Sequence, residues 1–227
     1  MWRLLDAGEQ TRLEAASDWL LRHKHWEAAH GFELNDEMTV IIAAQAALLV
    51  LGLTVDEYRE VSAIIVYPTA MQSRGVYAGP VAGTVTDGVV PVLGEAHADR
   101  GPVLLAWDQA EHAARNPGSG HNVVLHEFAH KLDMRDDLVD GTPRMERADL
   151  SEWVEVCTEA YQALQAGIDR PPLQAYGATN PAEFFAVTTE AFFDVPTALE
   201  HHEPRLYEVM RKFYKQDPAA RLRRPVT

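Results

Sequence analysis

Two histidines and a glutamate stand within five residues at His126-Glu127-Phe128-Ala129-His130. On a helix a spacing of four places the histidines one above the other, with Cβ atoms about 5–6 Å apart. Two imidazole nitrogens at that separation reach a single zinc ion at roughly 2.0–2.1 Å. Glu127 projects in another direction and cannot share their coordination. It can instead take a proton from a water on the metal, whose pKa zinc lowers to about 7. Five residues thus offer two ligands and a general base, the donor set of metal-assisted hydrolysis. Val123, Val124, Leu125, Phe128, Ala129 and Leu132 make the other faces of the segment apolar. The helix is therefore expected to be buried and to hold its ligands rigidly.

A catalytic zinc needs a third protein ligand and an open position, whereas a purely structural one needs four protein ligands. The extended pattern H-E-x-x-H-x-x-G-x-x-H fails, because Asp133 and Asp136 stand where glycine and a third histidine belong. A metzincin is therefore not expected, and a later glutamate is the next choice. Candidates are Glu146, Glu152, Glu155, Glu159, Glu183 and Glu190. Glu152 has a competing role in a capping box begun by Asp149, and Glu155 and Glu159 fall off the apolar stripe of their helix. Glu183 and Glu190 share one face of a helix rich in Phe and Ala, where a buried carboxylate needs a partner such as a metal. Asn180-Pro181-Ala182-Glu183 also reads as N-cap to N3 of a capping box. Spacing alone leaves Glu183 and Glu190 equally eligible.

The segment Val124 to Asp133 closely resembles the Mlc titration factor A family of bacterial zinc peptidases. So does Asn180-Pro181-Ala182-Glu183-Phe184-Phe185-Ala186-Val187 with the trailing Glu190-Ala191-Phe192-Phe193, and the resemblance runs over most of the chain from the sheet onward. Tyr176 to Phe185 is also similar to the catalytic domain of anthrax lethal factor. In both relatives the third zinc ligand is a glutamate seven residues after a tyrosine. The resemblance therefore implies Glu183 as ligand and Tyr176 as the active-site tyrosine, donating a hydrogen bond to the developing oxyanion. Glu190 then supports the ligands or packs beside them. The resemblance further implies a zincin-like metallopeptidase, one Zn2+ per chain and aminopeptidase-like action on short peptides. It also implies a regulatory contact that captures an Mlc-type transcriptional repressor.

The elements that must position these residues fall into three parts. Residues 1–55 read as helical: Asp6 to Glu27 is rich in helix formers, and Asn35, with Asp36 and Glu37 behind it, caps an apolar run from Val40 to Leu53. Residues 56–107 read as a small, mixed sheet. Its strands are Val61 to Tyr67 ending at Pro68, a hairpin of Val81–Thr86 and Val89–Leu93 about Asp87-Gly88, and Val103–Trp107. Pro91 makes Val89–Leu93 an edge, and either that strand or Val103–Trp107 is a candidate to pair with an extended substrate. Residues 108–227 read as helical again. His121–Met134 bears the motif. A helix capped by Asp149 carries the stripe Leu150, Trp153, Val154, Cys157, Tyr161 and Leu164, and further helices start at Pro181 and Pro204. The sum is a mostly helical α+β fold in a single domain, 1–227.

The 227 residues carry a net charge of −14, which repels phosphates and argues against nucleic acid as a partner. The lone Cys157 is expected to be a buried, inert thiol, so no disulfide is needed. No apolar signal core opens the chain and no apolar run is long enough to span a bilayer, so a cytoplasmic protein with no membrane contact is expected. His121 and His201-His202 read as surface residues. The cluster of arginines and lysines from Arg205 onward reads as a solvated helix and tail.

Overall fold

The computed structural model describes residues 2–29, 31–69, 101–134 and 140–224, together with the backbone pairs Tyr77–Ala78 and Val85–Thr86. The fold is mostly helical with a small sheet, an α+β architecture. Helix α1 spans Ala7–His23 and opens on a full capping box: Asp6 accepts from the Glu9 N–H, and Glu9 accepts from the Asp6 N–H. The N-terminal part is not helical throughout. Lys24 turns extended and His25–Ala28 form strand β1. The partner of β1 lies far along the chain: His25 pairs with Ala63 in parallel register, so tertiary pairing overrides local helix propensity.

Helix α2 (Asp36–Leu49) is capped by Asn35, which accepts from the Met38 N–H, and its apolar face is buried at Ile42, Ala43, Ala46 and Leu49. Strand β2 (Ala63–Tyr67) alternates between the core and partial exposure, with Ile64 and Val66 fully inside. Tyr77–Ala78 (β3) and Val85–Thr86 (β4) pair antiparallel. The expected hairpin partner Val89–Leu93 lies outside the described residues. Strand β5 (Val103–Ala106) pairs parallel with β2 and passes directly into helix α3 (Trp107–Arg115). Among the described residues the order is β1-β2-β5, so the expected mixture of strand directions is divided between a parallel three-stranded sheet and an antiparallel two-stranded one.

Helix α4 (Val123–Asp133) begins two residues later than expected because Asn122 caps it, accepting from the Val124 and Leu125 N–H groups. It packs against α2, α3 and β5, and against α6 described below. Its Phe128 ring meets Tyr58 edge to face, and the Tyr58 hydroxyl donates to the Ala46 carbonyl of α2. Helix α5 spans Arg147–Gln165; its cap position is Glu146, and Asp149 sits inside the first turn rather than at the cap. With that start, the buried stripe is Trp153, Val156, Ala160 and Leu164, while Leu150 and Val154 are exposed. Cys157 and Tyr161 are half-buried against the core.

Helices α6 (Pro181–Asp194), α7 (Pro196–His202), α8 (Pro204–Tyr214) and α9 (Pro218–Arg223) complete the described chain, each with proline in its first turn. The C-terminal cations are not simply solvated. Arg205 pairs with Glu155 and Glu159, Lys212 with Glu152, and Arg223 with Glu200, which ties α8 to α5 and α9 to α7. Arg221 is buried and donates to both Glu9 and Gln216, joining α9 to α1. Among the described residues no helix is long and apolar enough to cross a membrane.

Candidate metal centre

Helix α4 presents His126 and His130 to the N-terminal half of α6, with the imidazole rings 4.9 Å apart at their centroids and nearly perpendicular. The two Nε2 atoms face each other at 3.2 Å. Glu183 Oε2 lies 3.1 Å from His126 Nε2 and 3.6 Å from His130 Nε2. One ligand atom from each of the three side chains falls within 4.8 Å of the others, so the group could hold a metal ion. The donor set fits such an ion: two imidazole nitrogens and a carboxylate oxygen turned toward one point, at a place where α4 and α6 are fixed by packing.

Local folding explains how Glu183 is free to take part. Asn180 caps α6 by accepting from the Glu183 backbone N–H at 2.9 Å. The carboxylate is not folded back as in a closed capping box but points to the histidines. The backbone of Glu183 serves the cap while its side chain serves the site. Gly141 fixes where this helix begins. Its φ is +75°, and a Cβ there would lie 2.3 Å from the Pro181 carbonyl oxygen. Its N–H donates to Asp133 Oδ2 at the end of α4, and its carbonyl accepts from the Trp153 indole.

The electrostatics favour positive charge at the centre. Burial opposes charge on His126, but hydrogen bonds to Glu183 and Glu190 outweigh it and push its pKa to about 10. Burial likewise raises Glu183, yet hydrogen bonds from His126 and His130 prevail and hold it down to about 2. Glu127 behaves differently. Burial raises its carboxyl above the ordinary range, only partly offset by the two histidines. Tyr176, in a 3-10 turn at Ala175–Ala178, remains partly exposed with its ring 6.2 Å from that of His126. Burial and the neighbouring Glu183 and Glu127 charges raise its hydroxyl to about 12, so it is a proton-bearing donor at neutral pH.

The other glutamates proposed from the sequence are engaged elsewhere. Glu152, Glu155 and Glu159 pair with Lys212 or Arg205, and Glu146 lies near Lys215 at 4.0 Å. Glu190 does reach the site, but from behind His126: its Oε1 accepts from His126 Nδ1–H at 2.7 Å. Sequence reasoning missed Asp194, which accepts from the Gly118 and Gly120 N–H groups and anchors the loop leading into α4. Its signal was spacing. Glu183, Glu190 and Asp194 are separated by seven and four residues and so share one face of α6. His121, His201 and His202 are all exposed.

A family profile described as glucose-regulated metallo-peptidase M90 matches residues 1–215. The chain belongs to this metallopeptidase family. An uncharacterised protein of Synechocystis sp. is 36% identical over 218 residues, covering 94% of this chain and 79% of its own length. Mlc titration factor A of Serratia proteamaculans is 34% identical, with 97% of this chain and 85% of the relative covered. The protein of the same name from Salmonella typhi is 33% identical, with 96% and 83% covered. The likeness therefore extends through the N-terminal helices and the sheet as well as through the two segments that carry the site.

Proposed function

We propose that this M90 peptidase is zinc-dependent and cleaves peptide bonds at the centre formed by His126, His130 and Glu183. The observation that carries this reading is the convergence of those three ligand atoms within 4.8 Å of one another. Zinc, one per chain, would polarise the scissile carbonyl and acidify the attacking water. Glu127 takes the proton from that water and passes it to the leaving amine, a role for which its raised pKa suits it. Tyr176 donates a hydrogen bond to the developing oxyanion from the rim of the site. Among the described strands β5 lies at one edge of its sheet and packs against α4, so it is the one best placed to pair with an extended substrate backbone.

The domain is a single zincin-like unit in this reading, working in the cytoplasm with aminopeptidase-like action. The name of the Serratia and Salmonella relatives, Mlc titration factor A, supports a second role, capture of an Mlc-type repressor. The two roles separate with one substitution. Glu127→Gln is expected to keep one zinc by metal analysis, and any repressor binding, while peptide hydrolysis falls by about 10²–10⁴-fold. Wild-type hydrolysis by that variant would refute the mechanism, and a chain that binds no zinc would refute the metal site.

A further inference from the structure

Glu190 is 5% exposed on the face of α6 that also carries Glu183 and Asp194, and both of its oxygens are used. Oε1 accepts from His126 Nδ1–H at 2.7 Å, and Oε2 accepts from the Asn122 backbone N–H at 2.6 Å. Asn122 is fixed in turn. Its side-chain oxygen caps α4, and its Nδ2 donates to Gln45 Oε1 at 2.9 Å. Gln45 is the polar residue in the apolar run of α2, and its Nε2 donates to the Ile41 and Ala110 carbonyls. A continuous hydrogen-bonded chain therefore runs from α2 through the start of α4 to α6 and ends on His126.

We propose that Glu190, Asn122 and Gln45 form a positioning relay that fixes the tautomer and ring orientation of His126, so that Nε2 is the nitrogen offered to the metal. This rests on the metal site proposed above. The donor inventory gives the reason. An imidazole that carries its hydrogen on Nδ1 has its lone pair on Nε2, and a carboxylate opposite Nδ1 enforces that choice while making the ring a better ligand. The acceptor must also receive the Asn122 N–H, so it needs two acceptor oxygens. A glutamine fills the same volume but has one; either amide orientation sets an NH2 against an N–H donor. That separates positioning from packing, because packing alone tolerates Glu190→Gln. Gln45 lies behind Asn122 and touches neither histidine in the bonds described, so any effect it has on the metal must pass along the chain of hydrogen bonds.

The test is zinc affinity of the full chain at neutral pH, by competition with a chelator, for wild type, Glu190→Gln and Gln45→Met. Nitrogen-15 imidazole spectra of the zinc-loaded proteins are recorded in parallel. Glu190→Gln is expected to weaken zinc by about 10–100-fold and to move the His126 Nδ1–H resonance, whose carboxylate acceptor is gone, with helix content unchanged by circular dichroism. Gln45→Met is expected to weaken zinc in the same direction by about tenfold or less, and it supplies the decision if Glu190→Gln does not fold. Wild-type affinity with an unmoved Nδ1–H resonance in either variant would overturn the relay. Failure of the wild-type chain itself to bind zinc would overturn the metal site instead, so the two readings fail in different arms.

Discussion

Asn180 and Glu183 are joined through the backbone of one and the side chain of the other: the Asn180 carboxamide oxygen accepts the Glu183 N–H at 2.9 Å, and the Glu183 carboxylate leaves the cap altogether. Cap and ligand are therefore separable by mutation. Asn180→Ala removes the cap acceptor and is expected to cost about 1 kcal/mol in denaturant unfolding, with one zinc still bound. Glu183→Ala keeps the backbone N–H and the cap, and is expected to lose zinc on dialysis that leaves the wild type loaded. Retention of zinc at unchanged affinity by Glu183→Ala would exclude Glu183 as a ligand and return the choice to Glu190.

Tyr176 lies on the open side of the site, with its hydroxyl raised to about 12. It is thus protonated across the neutral range and has a hydrogen bond to give. Tyr176→Phe keeps the ring and deletes that donor. A donor to the oxyanion acts more strongly in the transition state than in the ground state, so kcat is expected to fall by about 10²–10³-fold with zinc content unchanged. A change confined to KM, measured on a short peptide, would show that the tyrosine only contacts bound substrate.

Gly141 joins the end of α4 to the start of α6. Its left-handed φ of +75° and the 2.3 Å approach to the Pro181 carbonyl leave no space for a side chain. Gly141→Ala is expected to destabilise the fold by about 1–3 kcal/mol, a loss of several degrees in melting temperature, and to weaken zinc because Glu183 is displaced with its helix. Alanine with wild-type melting and zinc affinity would show that the loop moves aside freely.

The part of this arrangement that depends on spacing within one element was legible in the sequence. His126 and His130 lie about one turn apart on α4 with Glu127 next to the first, and their relation survives any packing of that helix. The choice between Glu183 and Glu190 was not legible from spacing, since both share a face of α6. What distinguishes them is which nitrogen of His126 each one meets, and those contacts span 57 and 64 residues. Strand β1 was hidden for the same reason, because its sequence is ordinary helix material and its partner lies at Ala63. The stripe of α5 was misplaced because small Ala160 gives no apolar signal, whereas Leu150 and Val154 give a strong one and face outward. Gln45 was visible as an oddity in an apolar run, but its partner Asn122 could be found only in three dimensions.

Cys157 offers a test of packing on α5 independent of the site. It is half-buried against the core, and burial pushes its thiol from 9.0 up to about 12. The sign of its effect on stability follows from the protons bound in each state. Between pH 9 and about 12 the unfolded chain has lost the thiol proton and the folded chain retains it, so the folded state binds more protons and stability falls as pH rises. Below pH 9 both states hold the proton and the contribution is constant. Cys157→Ala removes this component, so its unfolding free energy is expected to decline less steeply with pH above 9 than that of the wild type, by denaturant titration at each pH. Buried tyrosines such as Tyr58 and Tyr214 are common to both proteins and cancel in the difference. At pH 8 the folded thiol should also react with an alkylating reagent more than about tenfold more slowly than in denaturant. Parallel pH profiles with equal alkylation rates would place Cys157 in contact with water and require α5 to pack in a different rotation about its axis.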